Sequence, residues 1–80
     1  MARLVFLGRL EDLAGTAGLV CPLPGPTALA DLLAGLPTAL AEALRGPRVR
    51  LALNGMVVEA QGLVLADGDE LAFLPPVSGG

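Results

Sequence analysis

Between residues 27 and 36 the spacing of apolar side chains changes. Leu29, Leu32, Leu33 and Leu36 recur at i, i+3, i+4 and i+7, one stripe of a helix. The segments on either side repeat with a period of two, the signature of strands. A chain that passes from strand period to helix period and back has to lay a helix on a sheet, so the spacing predicts an α+β fold. In ARLVFLGRL, residues 2–10, Leu4 and Phe6 fall on one face and Val5 and Leu7 on the other. Both faces are apolar, as in a strand inside a sheet. In RVRLALNG, residues 48–55, Val49, Leu51 and Leu53 point inward and Arg48 and Arg50 outward. In the last run, residues 70–75, Leu71 and Phe73 share one face and Ala72 and Leu74 the other.

Turn and capping residues divide the chain further. Residues 11–15 read as a turn or a single helical turn ending at Gly15, and GLVCPL, residues 18–23, as an edge strand whose prolines suit its end. Thr27 is placed as the N-cap of the leucine-striped helix and Gly35 as its C-cap. A second short helix spans residues 37–46, with Pro37 in the first turn, Arg45 in the last and Gly46 as the stop. Asn54-Gly55 is a hairpin turn leading into MVVEA, and Asp67-Gly68-Asp69 turns the chain into the last strand. The predicted order is β-β-α-α-β-β-β: a mixed sheet with a helix across one face. The other face would expose Val5, Leu7 and Leu74 unless a partner covers it.

Composition narrows the function. The 80 residues make one domain, 54% hydrophobic but with only two aromatics, Phe6 and Phe73, so aliphatic packing must carry the core. The formal charge is −3, with five Arg and no Lys, which argues against nucleic acid and against an anionic membrane surface. Residues 13–30 are uncharged, but Pro22, Pro24 and Pro26 interrupt them, so they do not read as a membrane span. No signal peptide is evident, and a single cysteine suits a reduced, cytoplasmic setting. One Cys and no His leave no intrachain disulfide, no cysteine-based zinc site and no usual nucleophile–base pair. The absence of Lys fits a compositional bias toward Arg.

The remaining candidates for chemistry have simpler readings. Asp67 and Asp69 flank a glycine and read first as turn residues, before a catalytic pair. Glu11 and Asp12 read as a solvated loop before a cation site, and Cys21 as a small buried apolar residue before a persulfide carrier. The C-terminus is different. It runs Pro75-Pro76-Val77-Ser78-Gly79-Gly80. Two prolines project it stiffly, and a backbone without Cβ can pass a narrow channel. The group it would deliver is its α-carboxylate.

The stretch DGDELAFLPPVSGG, residues 67–80, resembles the end of the small subunit of molybdopterin synthase, a ubiquitin-like family of sulfur carriers. Asp67, Gly68, Asp69, Glu70, Ala72, Phe73 and every residue from Pro75 to Gly80 fit its DGDEVAFFPPVSGG-like pattern. Thr27 with Leu29, Leu32 and Leu33 is similar to the start of the family's helix, and LALNG, residues 51–55, to its strand and turn. One departure is Glu11, in Glu11-Asp12-Leu13-Ala14-Gly15, where relatives commonly carry Arg.

The resemblance implies a β-grasp domain over residues 1–75 and a flexible Gly-Gly tail over 76–80. It implies that the chain is no catalyst alone and binds no cofactor or metal itself. An E1-like adenylating enzyme would use ATP to activate Gly80, a sulfur donor would convert it to a thiocarboxylate, and the synthase large subunit would receive the tail. Gly79 and Ser78 would thread into that partner. Leu7, Leu74, Pro75, Pro76 and Val77 would bind it. Sister carriers for thiamin or transfer-RNA thiolation, and ubiquitin-like protein modifiers, share the fold and the Gly-Gly end.

Overall fold

A computed structural model describes residues 1–76. In chain order its elements are β1 (Ala2–Phe6), α1 (Arg9–Ala14), β2 (Gly18–Cys21), β3 (Thr27–Ala28), α2 (Leu29–Ala34), α3 (Thr38–Leu44), β4 (Arg50–Leu53), β5 (Met56–Val58), β6 (Val64–Leu65) and β7 (Glu70–Leu74). Five strands form one mixed sheet in the order β2-β1-β7-β4-β5. The two central strands, β1 and β7, run parallel, and the other pairs are antiparallel.

Register explains why the core works with two aromatics. Phe6 lies directly opposite Phe73, which lies opposite Leu51. The two rings stack at 5.8 Å between centroids with planes 21° apart, a favourable cross-strand contact. The neighbouring rung is Leu19, Leu4, Leu71 and Leu53. Leu29 and Leu33 of α2, Leu40, Ala41 and Leu44 of α3, and Leu10 of α1 close over these rungs, all buried in one cluster. Thus three short helices, rather than one long helix, cover one face of the sheet. Each fully buried Leu or Phe contributes about 1.5–3 kcal/mol, and short helices like these depend on that packing rather than on intrinsic propensity.

The hairpin prediction at Asn54-Gly55 holds. Both residues have positive φ, 50° and 86°, as a type I′ turn requires, and Leu53 pairs with Met56 across it. Asp67-Gly68-Asp69 is likewise a structural turn. Asp69 Oδ2 accepts from the Ala66 N–H at 2.8 Å and Oδ1 from the Asn54 amide at 3.0 Å. The Asn54 side chain in turn accepts from the Glu70 N–H at 2.9 Å. Asp67 pairs with the N-terminal ammonium. These bonds tie the start of β7 to both β1 and the β4–β5 hairpin, and they account for the two aspartates without catalysis.

Several boundaries differ from the sequence reading. The first strand ends at Phe6, not residue 10, because Gly8 turns the chain into α1. Of the two readings of residues 11–15, the helical turn ending at Gly15 holds: it is the end of that helix. Thr27 is not a helix N-cap: it pairs with Leu65 in a two-stranded β3–β6 ladder, and its hydroxyl donates to Gly25 O at 2.9 Å. Ala28 holds the N-cap position instead. Gly35 is the C-cap of α2 as expected, right-handed at φ −85°, its N–H bonding back to Leu32 O and Leu33 O. Pro37 is the N-cap of α3, its carbonyl accepting from the Ala41 N–H at 2.9 Å. Arg45 caps the helix end. Val49 precedes β4, and β2 stops at Cys21, before Pro22. The β3–β6 ladder is two residues long on each side, too short to show a period in the sequence.

Two expectations follow. Phe73→Ala should lower stability by about 3–5 kcal/mol, whereas Leu7→Ala, at an exposed position, should change it by about 0.5 kcal/mol or less; urea unfolding followed by circular dichroism compares them. The second concerns pH. The Ala66 N–H, and after it the Asn54 amide, hold the Asp69 carboxyl below its ordinary value of 3.8. A lowered folded-state value stabilises the fold above the ordinary value and is lost as pH falls through the folded one. Asp69→Asn should therefore flatten part of the fall in urea midpoint between about pH 5 and pH 2.

Candidate functional site: the chain exit and the open sheet face

Because β1 and β7 are parallel neighbours, their C-terminal ends emerge side by side at the middle of one sheet edge. Leu7 continues the pairing, donating its N–H to Phe73 O at 3.2 Å. From this edge Pro75 and Pro76 lead the chain away: Pro75 is half-buried and Pro76 exposed. Pro75 is seated against Gly8. A Cβ on Gly8 would stand 2.8 Å from Pro75 Cγ, closer than side chains pack, and Gly8 has φ 55° and ψ −132°. That conformation is open in practice only to glycine. Gly8 thus turns β1 into α1 and leaves the gap that Pro75 fills. In the sequence Gly8 falls inside the run read as a strand, and its only signal is a lone glycine before a helical turn.

Pro75 and Pro76 also border a groove of ≈ 450 Å³ between α1 and residues 46–49, with Leu10 and Leu13 on one wall and Val49 on the other. A second groove, of ≈ 680 Å³, lies on the far side of Pro76 along β4 and β5.

The face of the sheet away from the helices carries an apolar rung through all five strands: Gly18, Val5, Ala72, Ala52 and Val57 in register. Beside it Leu7 is 40% exposed and Leu74 half-buried. Val20 and Val57, 61% and 70% exposed, extend this face beyond Val5, Leu7 and Leu74. Of the proposed partner-binding residues, Leu7, Leu74, Pro75 and Pro76 meet at the chain exit. Val77, Ser78, Gly79 and Gly80 lie outside the described residues. Cys21 is half-buried and unpaired. Among the described residues no group of His, Cys, Asp or Glu is arranged to hold a metal ion, and no helix is long and apolar enough to cross a membrane.

The sequence profile of the ThiS family matches residues 4–80. The chain belongs to the ThiS family. It is 34% identical, over the full length of both chains, to the molybdopterin synthase sulfur carrier subunit of Escherichia coli (strain K12). Among solved structures it is similar to SAMP1 from Haloferax volcanii, with 28% identity and a TM-score of 0.78, covering 99% of this chain and 98% of that one. A chain in the complex of subunits 1 and 2 of the molybdopterin-converting factor from Helicobacter pylori 26695 superposes with a TM-score of 0.65 at 22% identity, covering 99% and 97%. That last likeness carries the fold alone. Together these matches make the architecture a ubiquitin-like β-grasp.

The seating of Pro75 on Gly8 is open to a double-mutant cycle. Gly8→Ala should cost more stability than Gly62→Ala, which has a comparable φ of 73° but nothing within 4 Å of the added methyl. Strain alone at such positions costs about 1–3 kcal/mol. In a Pro75→Ala background the excess at Gly8 should shrink, as read by urea unfolding of the four proteins.

Proposed function

We propose that this chain is the sulfur-carrying small subunit of a molybdopterin synthase and that Gly80 carries the sulfur. The observation that supports it best is the end-to-end 34% identity with a sulfur carrier subunit of that enzyme, on a chain whose central strand runs out to an exposed Pro76. The family match also runs through to Gly80.

The chemistry follows from the group available. A carboxylate is a poor electrophile, so its oxygen would first attack the α-phosphorus of ATP in an adenylating partner, releasing pyrophosphate and leaving an acyl-adenylate. The terminal sulfur of a persulfide donor would attack the acyl carbon and expel AMP. A thiol would then cut the S–S bond, leaving a C-terminal thiocarboxylate, a soft anionic nucleophile. The synthase large subunit would admit Ser78 to Gly80, and the sulfur would attack the cyclic pyranopterin precursor. Hydrolysis would return the carboxylate, and a second loaded chain would supply the second sulfur of the dithiolene. The full-length likeness to a sulfur carrier subunit, one part of a synthase, supports a large-subunit partner. In this scheme the domain contributes a rigid mount. The acid–base groups belong to the partners, in keeping with two aspartates occupied by turn bonds.

A second reading has its own observation. The likeness to SAMP1, named elsewhere among the solved structures as a small archaeal modifier protein, favours a modifier whose Gly80 is joined to lysines of target proteins. Both readings begin with the same adenylation.

Incubation with the adenylating partner, ATP and a sulfur donor should exchange one oxygen of the chain for sulfur, read by intact mass. An unchanged mass would remove the carrier reading. One residue appended after Gly80 should abolish the exchange. Adding the large subunit and the precursor should consume the thiocarboxylate, and failure there while lysine conjugates accumulate would favour the modifier.

A further inference from the structure

Four of the five cationic side chains of this acidic protein gather where the chain leaves the domain. Arg45, Arg48 and Arg50 line the larger groove with Pro76, and Arg9 and Arg48 line the smaller one with Pro75 and Pro76. They come from distant places in the sequence: the start of α1, the end of α3, the loop after it, and β4. All four are exposed, and among the described residues none forms an ion pair. Glu59 is the one carboxylate in either lining. The other acids on the adjoining helices, Glu11, Asp12 and Glu42, lie outside both. Like charges set side by side repel one another, so this clustering gives the isolated fold nothing; it suits an anionic surface brought from outside.

Three of the acids lie at the opposite end of the strand that leads to the exit. Asp67, Asp69 and Glu70 sit at the start of β7, and Pro75 follows its end, about 17 Å away along a five-residue strand. The two ends of β7 thus differ in charge, with the arginines near Pro75 and three acids at its start, within a formal net charge of −3. Reach decides what the arginines meet. Gly80 is four residues beyond Pro76, at most about 14 Å of extended chain. When the terminus is in a reaction centre, the guanidiniums stand back at the mouth of the channel that admits it. They would touch a protein rim, not the phosphates of a small substrate.

On the reading that this chain is a tail-delivering carrier, we propose that Arg9, Arg45, Arg48 and Arg50 form a docking collar for a carboxylate-rich rim around the tail channel of the adenylating partner. Guanidiniums suit this role because each can hold a carboxylate with two parallel bonds. A collar around the tail also orients the encounter, since complementary charge at a rim acts mainly on the rate of association.

The test measures association of the full-length chain with the adenylating partner at low and high salt, together with adenylation of Gly80. The double variant Arg45→Glu/Arg48→Glu should associate about tenfold or more slowly at low salt, with a weaker salt dependence than the wild type. Arg3→Glu makes a charge change of the same kind per site but at the other end of β1, and should have a smaller effect. Urea midpoints of all variants show whether the fold is intact, and Arg48→Gln, which removes charge without reversing it, should give an intermediate rate. If wild type is adenylated and the double variant associates equally fast with an unchanged salt slope, the collar is refuted while the carrier reading stands. If the wild type neither binds nor is adenylated, both fall.

Discussion

The parallel pairing of β1 with β7 is the constraint on which the remaining structure depends. It joins the first and last strands of the chain at the middle of the sheet, sets Phe6 against Phe73, and puts Leu4 opposite Leu71. With only two aromatics to use, the chain stacks them on one another at the point where the helices close over the sheet. A one-residue slip in this register would turn Phe73 and Leu71 onto the open face and Ala72 and Leu74 into the core. The same pairing fixes where Leu7 and Leu74 end, and so where the chain leaves the sheet.

A β-strand at the centre of a sheet is held by bonds on both sides, so its direction is well determined. The chain leaves that strand through Pro75, which Gly8 accommodates at the price of a backbone conformation open to little but glycine. At the other end of β7 the bonds among Asp69, Asn54, Ala66 and Glu70 fix the strand's start. The bonds that fix the strand are thus made at both of its ends, while the middle rung of the open face is left to small and apolar side chains.

Much of this was legible in the sequence. The leucines at 29, 32 and 33, the alternation in residues 50–53 and 70–74, and Asn54-Gly55 each act through local geometry, and each came out as read; Leu36, the fourth of the stripe, lies past the end of α2. What stayed hidden depended on contacts between distant segments. Thr27 looks like a helix cap until Leu65 recruits it into a ladder. Gly8 looks like part of a strand until Pro75 needs its missing Cβ. The arginines at 9, 45, 48 and 50 look like scattered solvated charges until the fold gathers them. The family's terminal pattern singled out the end of the chain as the candidate site, and no periodicity would have done so.

The parallel central pair has a topological consequence for handling the molecule. A strand that begins the chain and one that nearly ends it, lying side by side and pointing the same way, put Met1 and Pro76 at opposite poles of the domain. The N-terminal pole is therefore the natural place for a fused reporter or affinity handle, out of the way of anything that engages the exit. Joining the two poles for a circular permutant would need a linker spanning the length of the sheet.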